Sequence, residues 1–135
     1  MGSVLRILDV DDHDIVRLST CTLLSGRPDF EVICDAADGL QAVREAERLQ
    51  PDVVLDITMP KMDGFEAAGR IREVAPSAEI VFLSQHDSLD IIKEAFRHGA
   101  RGYVVKSAAS KELVTAVRTV RKKKRYVNAR FAADL

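Results

Sequence analysis

The sequence has no apolar run approaching the roughly 18 residues that span a bilayer. It also lacks the basic-then-apolar opening of an export signal, so no membrane association is expected and the cytoplasm is the expected compartment. Neither charge is in surplus: 20 Lys and Arg against 21 Asp and Glu leave a net charge of -1. That balance argues against a chain built mainly to hold nucleic acid or an anionic membrane. Cysteine is scarce. Cys21 and Cys34 lack metal-type spacing and no other ligand residues cluster with them, so both are expected as reduced, packed thiols rather than a bridge. Internal repeats, low-complexity segments and clear linkers are missing too. What is present, 47% hydrophobic and 30% charged over 135 residues, suits one soluble globular domain with a real core.

The most informative stretch is residues 51–64, PDVVLDITMPKMDG. Val53, Val54 and Leu55 form a β-branched and aliphatic run, as in a strand buried on both faces. Asp56 interrupts it at its C-terminal end, where a carboxylate is costly without charge partners or work to do. Pro60 and Gly64 mark a loop, and Phe65 opens a helical pattern. In an open α/β sheet, ligands bind at the carboxyl ends of the strands, which makes Asp56 a site candidate by position.

The rest of the chain repeats that alternation. Strands are predicted over residues 4–10, 30–36, 79–84 and 101–105, besides the run before Asp56. The first helix runs from His13 or Asp14 to about Ser25, with Ile15, Leu18 and Leu23 among its apolar positions, and Gly26 and Pro28 close it. The second carries Leu40, Val43, Ala46 and Leu49 at helical spacing, until Pro51. The third carries Phe65, Ala68, Ile71 and Ala75, until Pro76. Ser88 or Asp90 caps a fourth helix holding Ile91, Ile92, Ala95 and Phe96, and Gly99 suits its left-handed C-terminal position. A fifth starts near Ser110 and uses Leu113, Val117 and Val120. Five βα units with short connections imply a parallel sheet covered by helices on both faces. At this length they favour the doubly wound, flavodoxin-like order 2-1-3-4-5, which sets the first and third strands side by side. Asp11, Asp12 and Asp56 would then share a pocket.

Three carboxylates so close repel one another, and each raises the pKa of the others unless a divalent cation neutralises them. Oxygen-only ligands select a hard ion, and Mg²⁺ commonly binds through few carboxylates and keeps several waters. The fourth and fifth strands end at the same sheet edge and bring a hydroxyl, Ser84, and an ammonium, Lys106. Together these groups make a site for a phosphoryl group, with Asp56 placed to attack phosphorus.

Four segments, VDDH (10–13), DITMPKMDG (56–64), LSQHD (83–87) and GYVVKS (102–107), resemble in order and separation a bacterial two-component response-regulator receiver domain. The likeness spans about 125 residues and is strongest to the subgroup with a helix-turn-helix (LuxR/NarL/FixJ-type) DNA-binding output. It implies a CheY-like (βα)5 fold. It also implies that Asp56 accepts phosphate from a sensor histidine kinase, and that Asp11, Asp12, Asp56 and the backbone carbonyl of Thr58 face Mg²⁺. Ser84 and Lys106 register the phosphoryl group, and Tyr103 turns inward when Ser84 moves. Thr58 and His86, each two residues past a site residue, tune the lifetime of the phosphoaspartate. The fourth helix, fifth strand and fifth helix form the signalling surface. Residues 1–124 would be the receiver, and 125–135 a tail or the start of a linker to an output domain missing from this chain. DNA would be met only through that domain, and a homodimer is consistent with the resemblance. No enzymatic activity is expected beyond self-phosphorylation and autodephosphorylation.

The pattern departs from the family at two places. Asp9 replaces an aliphatic residue within the first strand, on the same face as Asp11, where a carboxylate should weaken the sheet or carry a raised pKa. Three residues rather than four separate Asp52 from Asp56, which shortens the lead-in to the third strand and leaves its register less firmly set. Blander readings compete elsewhere. His13 suits a cap or surface position, His98 a favourable charge near a helix end, and the basic run 121–125 a solvated helix terminus rather than a contact with DNA or an output domain. Three rival functions fit less well. A phosphatase of the haloacid dehalogenase type wants a second Asp where Thr58 stands. A flavin or nucleotide carrier wants a phosphate-cradling loop where residues 11–14 are acidic. A phosphorylation-independent receiver-like binding module would not need Asp56, Ser84 and Lys106 together.

Overall fold

The five apolar runs form five parallel strands: β1 (Leu5–Val10), β2 (Phe30–Ala36), β3 (Val53–Asp56), β4 (Glu79–Ser84) and β5 (Gly102–Val105), in the order β2-β1-β3-β4-β5. Between them run α1 (Asp14–Ser25), α2 (Gly39–Leu49), α3 (Gly64–Val74) and α4 (Leu89–Arg97). A 3-10 turn (Lys106–Ala108), α5 (Ala109–Arg121) and α6 (Ala129–Ala132) follow β5. The computed structural model describes residues 4–11, 14–56 and 64–135, without the side chains of Asp14, Val16, Cys34, Asp35 and Asp56. Among the described residues, no helix is long and apolar enough to cross a membrane. The doubly wound architecture expected from the alternation is the one observed.

Strand alternation divides the core into two layers. Leu5 and Ile7 of β1, with Val53 and Leu55 of β3, join Leu24 of α1 and Leu113 and Val117 of α5. Leu8 and Val10, with Val54, face Ala42 and Ala46 of α2, Ala68 and Ile71 of α3, and Ile92 of α4. Complete burial of each large aliphatic side chain stabilises by about 1.5–3 kcal/mol. Alanines on α2 and α3 let those helices lie close to the sheet.

Gly99 adopts φ 99° after α4, as expected of its left-handed position. Asp38 caps α2 by accepting from the Gln41 amide at 2.9 Å. Ser88 occupies the N-cap position of α4 without a side-chain cap bond. The short β3 is held in register by Asp52, whose amide donates to the Arg6 carbonyl at 2.9 Å and whose carboxylate accepts from the Arg6 amide at 2.8 Å. Its carbonyl accepts from the Glu79 amide at 3.0 Å, so both neighbouring strands are fixed at the same residue. The shortened lead-in therefore does not loosen the register.

The first helix requires a correction. Ile15 is 81% and Leu18 68% exposed, whereas Leu24 is fully buried and Thr20 nearly so. Apolar side chains lie on two sides of α1. The side carrying Thr20, Cys21 and Leu24 meets the sheet, which turns Ile15 and Leu18 to the surface. Leu40 is likewise half-exposed, because α2 meets the sheet through Ala42 and Ala46.

Residues 121–125 are exposed, as a solvated helix terminus would be, yet Lys123 and Arg125 are engaged. Lys123, at φ 65°, pairs with buried Glu79 at 3.1 Å beside Arg101 at 2.8 Å, and the Arg125 guanidinium lies 5.1 Å over the Phe96 ring. The chain then turns back along β5, where Tyr126 forms a parallel bridge with Gly102.

Candidate functional site

The sheet register brings the C-terminal strand ends together. Asp56, last residue of β3, lies opposite Val10 of β1 and Phe82 of β4. Asp11 follows Val10 directly, and its amide extends the β1–β2 ladder by donating to the Ala36 carbonyl at 2.9 Å. Ser84 ends β4 opposite Val105, and Lys106 is the next residue, half-buried in the first position of the 3-10 turn. Asp11, Asp56, Ser84 and Lys106 thus stand at the ends of four adjacent strands. Asp12, His13 and Thr58 lie outside the described residues, as does the Asp56 side chain.

Asp11 is fully buried, and its backbone carbonyl accepts from Arg17 at 2.6 Å across the first turn of α1. Asp9 is also fully buried, facing α1, where the half-buried Cys21 donates a thiol hydrogen bond to it at 3.2 Å. Sequence reasoning flagged Asp9 but not its donor. Twelve residues separate the two, and only helix–strand packing joins them. Arg17 was missed for the same reason.

Among the described residues, no group of three or more His, Cys, Asp or Glu forms a metal cluster. Of the expected ligand side chains, Asp11 is the one described. A wholly buried carboxylate at a strand end, beside the backbone position of a second, has the oxygen chemistry that fits a hard divalent cation.

Beside this edge, Ser84 and Tyr103 are linked through the His86 backbone. Ser84 Oγ accepts from the His86 amide at 3.1 Å, and the Tyr103 hydroxyl donates to the His86 carbonyl at 2.8 Å. The His86 side chain is exposed, so its described contacts to the site are made by its backbone. Tyr103 is buried, which pushes its phenol up from its ordinary pKa; the Ser84 hydroxyl offsets part of that rise, and the nearby Asp87 charge adds to it. A cavity of about 180 Å³ lies there, lined by Phe65, Phe82, Ser84, His86, Ile91 and Tyr103 among others. His98 closes α4, pairing with Glu94 at 3.4 Å and stacking on Phe65 at 4.9 Å, as a residue at a helix end rather than in the pocket.

Residues 7–118 match the response regulator receiver domain family. The oxygen regulatory protein NreC of Staphylococcus carnosus is 34% identical over 133 residues, which cover 97% of this chain and 61% of that protein. The chain therefore spans less than two thirds of such relatives. A two-component response regulator of the LuxR family from Aurantimonas has the same fold at a TM-score of 0.91, with 35% identity over 97% of this chain and 94% of the other. The receiver domain of the putative response regulator NarL from Mycobacterium tuberculosis aligns at a TM-score of 0.85, with 30% identity over 91% of this chain and all of the other. The order of the strands, the residues at their ends and this extent of similarity agree: the chain belongs to the response regulator receiver domain family.

Proposed function

We propose that the chain is a phosphorylation-dependent switch of a two-component system, taking a phosphoryl group on Asp56 from a sensor histidine kinase. The observation that carries this reading is the register: Asp56 opposite Val10 and Phe82, with Asp11, Ser84 and Lys106 at the adjoining strand ends. An Asp56 carboxylate oxygen attacks phosphorus, the P–N bond of the donor breaks, and the imidazole leaves with the bonding electron pair. Mg²⁺, held by Asp11, Asp12, Asp56 and the Thr58 carbonyl, would neutralise the charge brought together at this step. Lys106 pairs with one phosphoryl oxygen and the Ser84 hydroxyl donates to another, giving up its contact with the His86 amide. Turning the chain from mostly off to mostly on takes roughly 3–5 kcal/mol of differential interaction. Two charge-assisted contacts at about 1.5–3 kcal/mol each are of that size.

The readout is the surface formed by α4, β5 and α5, which meets the site through Tyr103. In a longer protein this surface would control a DNA-binding output domain, with or without homodimer formation, in the cytoplasm. Catalysis by the chain is confined to its own phosphorylation and dephosphorylation, their rates tuned by Thr58 and His86. The test is intact mass after incubation with a small phosphoryl donor and Mg²⁺, beside Asp56→Asn and a chelator. Gain of one phosphoryl group, lost in both controls, is expected; a folded sample that gains none refutes the phosphoacceptor assignment.

A further inference from the structure

We propose that residues 126–135 are a strap docked in cis along the β5 edge, and that strap docking is coupled to the buried position of Tyr103. β5 is an edge strand, and the strap covers its open side. The Tyr103 amide donates to the Tyr126 carbonyl and the Tyr126 amide to the Arg101 carbonyl, both at 3.0 Å. Tyr103 is therefore held from two directions, its backbone by the strap and its hydroxyl by the His86 carbonyl at 2.8 Å.

Side chains fasten the strap at further points. Both carboxylate oxygens of Glu112 on α5 are taken by it, one by the Tyr126 hydroxyl at 2.8 Å and one by the Asn128 amide at 2.9 Å. Burial, reinforced by the Glu112 carboxylate, pushes the Tyr126 phenol up to about 12, as expected of a docked rather than a trailing residue. Val127, Phe131 and Leu135 add apolar contact to the core layer that contains Tyr103.

Tyr103 also forms a wall between two cavities. One is the cavity of about 180 Å³ shared with Ser84 and His86. The other, of about 210 Å³, lies on the strap side and is lined by Val127, Asn128 and Phe131 as well as Tyr103. A Tyr103 ring that leaves the first cavity enters the second and meets the strap. Whatever fixes the ring on the Ser84 side thus favours docking, and whatever loosens the strap frees the ring. The coupling stands on this geometry; its physiological trigger, a phosphoryl group on Asp56, rests on the function proposed above.

Amide hydrogen exchange on the full 135-residue chain tests it, read at Tyr103, Tyr126 and Phe131, with the β1 and β3 amides as the measure of global stability. Tyr103→Phe keeps the ring and removes the bond to His86; Glu112→Ala removes two strap anchors. Tyr103→Phe is expected to speed exchange at Tyr126 and Phe131 by about fivefold or more, the low end of ordinary coupling between sites. Beryllofluoride with Mg²⁺, a phosphoryl mimic, is expected to slow the same amides in the unaltered chain, and Glu112→Ala to weaken beryllofluoride binding. Should Glu112→Ala also lower β1 and β3 protection, Asn128→Ala, which removes one anchor, takes its place. Strap amides indifferent to Tyr103→Phe, or to beryllofluoride that demonstrably binds, overturn the proposal. If beryllofluoride fails to bind at all, the phosphoacceptor reading falls by itself, and the Tyr103→Phe arm still decides the coupling.

Discussion

Glu79→Gln is a direct test of how the foot of the sheet is held. Glu79 is 3% exposed and accepts from Arg101 Nε at 2.8 Å and Lys123 Nζ at 3.1 Å. Burial alone would raise its pKa, but the two hydrogen-bonded cations outweigh burial and hold the carboxyl below its ordinary 4.5. A hydrogen bond to a charged group contributes about 1.5–3 kcal/mol when shielded from water. Here the Arg101 and Lys123 side chains are 38% and 59% exposed, so solvent screens the pair and both cations rehydrate when the charge is lost. Glutamine keeps the shape and one neutral acceptor, which leaves an expected loss of about 1–2 kcal/mol at neutral pH. The pH dependence follows from the depressed pKa. The stabilisation is complete above 4.5 and disappears as pH falls from there through the folded-state value. Urea unfolding of both proteins at about pH 7 and about pH 3 measures it, and the gap between them should narrow sharply in acid. A gap of the same size at both pH values, or none at neutral pH, refutes the argument.

Two glycines should respond with opposite signs. Gly99→Ala, at φ 99° and with the Arg72 side chain 3.4 Å from the new Cβ, should cost about 1–2 kcal/mol, whereas Gly69→Ala within α3, with open space around the Cβ, should gain about 0.5–1 kcal/mol, both read by thermal or urea unfolding. In alkali, Tyr126 should remain protonated past the ordinary 10 and ionise near 12. Because the folded value is raised, its contribution to stability is intact below 10 and is lost as pH rises through 12; tyrosinate absorbance beside circular dichroism checks both. Ser84→Ala should leave phosphoryl uptake on Asp56 measurable by intact mass, but abolish the accompanying change in strap exchange, since it removes the hydroxyl between the phosphoryl group and the His86–Tyr103 link.

The strands and the strand-end positions of Asp11, Asp56, Ser84 and Lys106 could be read from the chain alone, while the sheet order was favoured by strand number and length without being visible in the periodicity. They depend on local properties: β-branched runs, breakers such as Pro51 and Pro76, and the rule that alternating parallel strands end at one edge. The Phe65, Ala68, Ile71 and Ala75 stripe was legible for the same reason, being the apolar face of its helix. In α1 that signal was divided, since Ile15 and Leu18 compete with Leu24 for the core, and only contact with the sheet decided between them. The same is true wherever partners are distant in sequence. Cys21 reaches Asp9 only because α1 lies against β1, and Asp52 sets the register of β3 only because Arg6 and Glu79 arrive on either side. Residues 125–135 read as a tail or the start of a linker because nothing in their sequence names the groups they meet. Their docking depends on a reversal at Lys123 and on Glu112, Tyr103 and the β5 edge, which lie beside them only in the folded chain. Hydrophobic periodicity and chain breakers act over a few residues and survive in the sequence, whereas a hydrogen bond between residues far apart exists only once the sheet has closed.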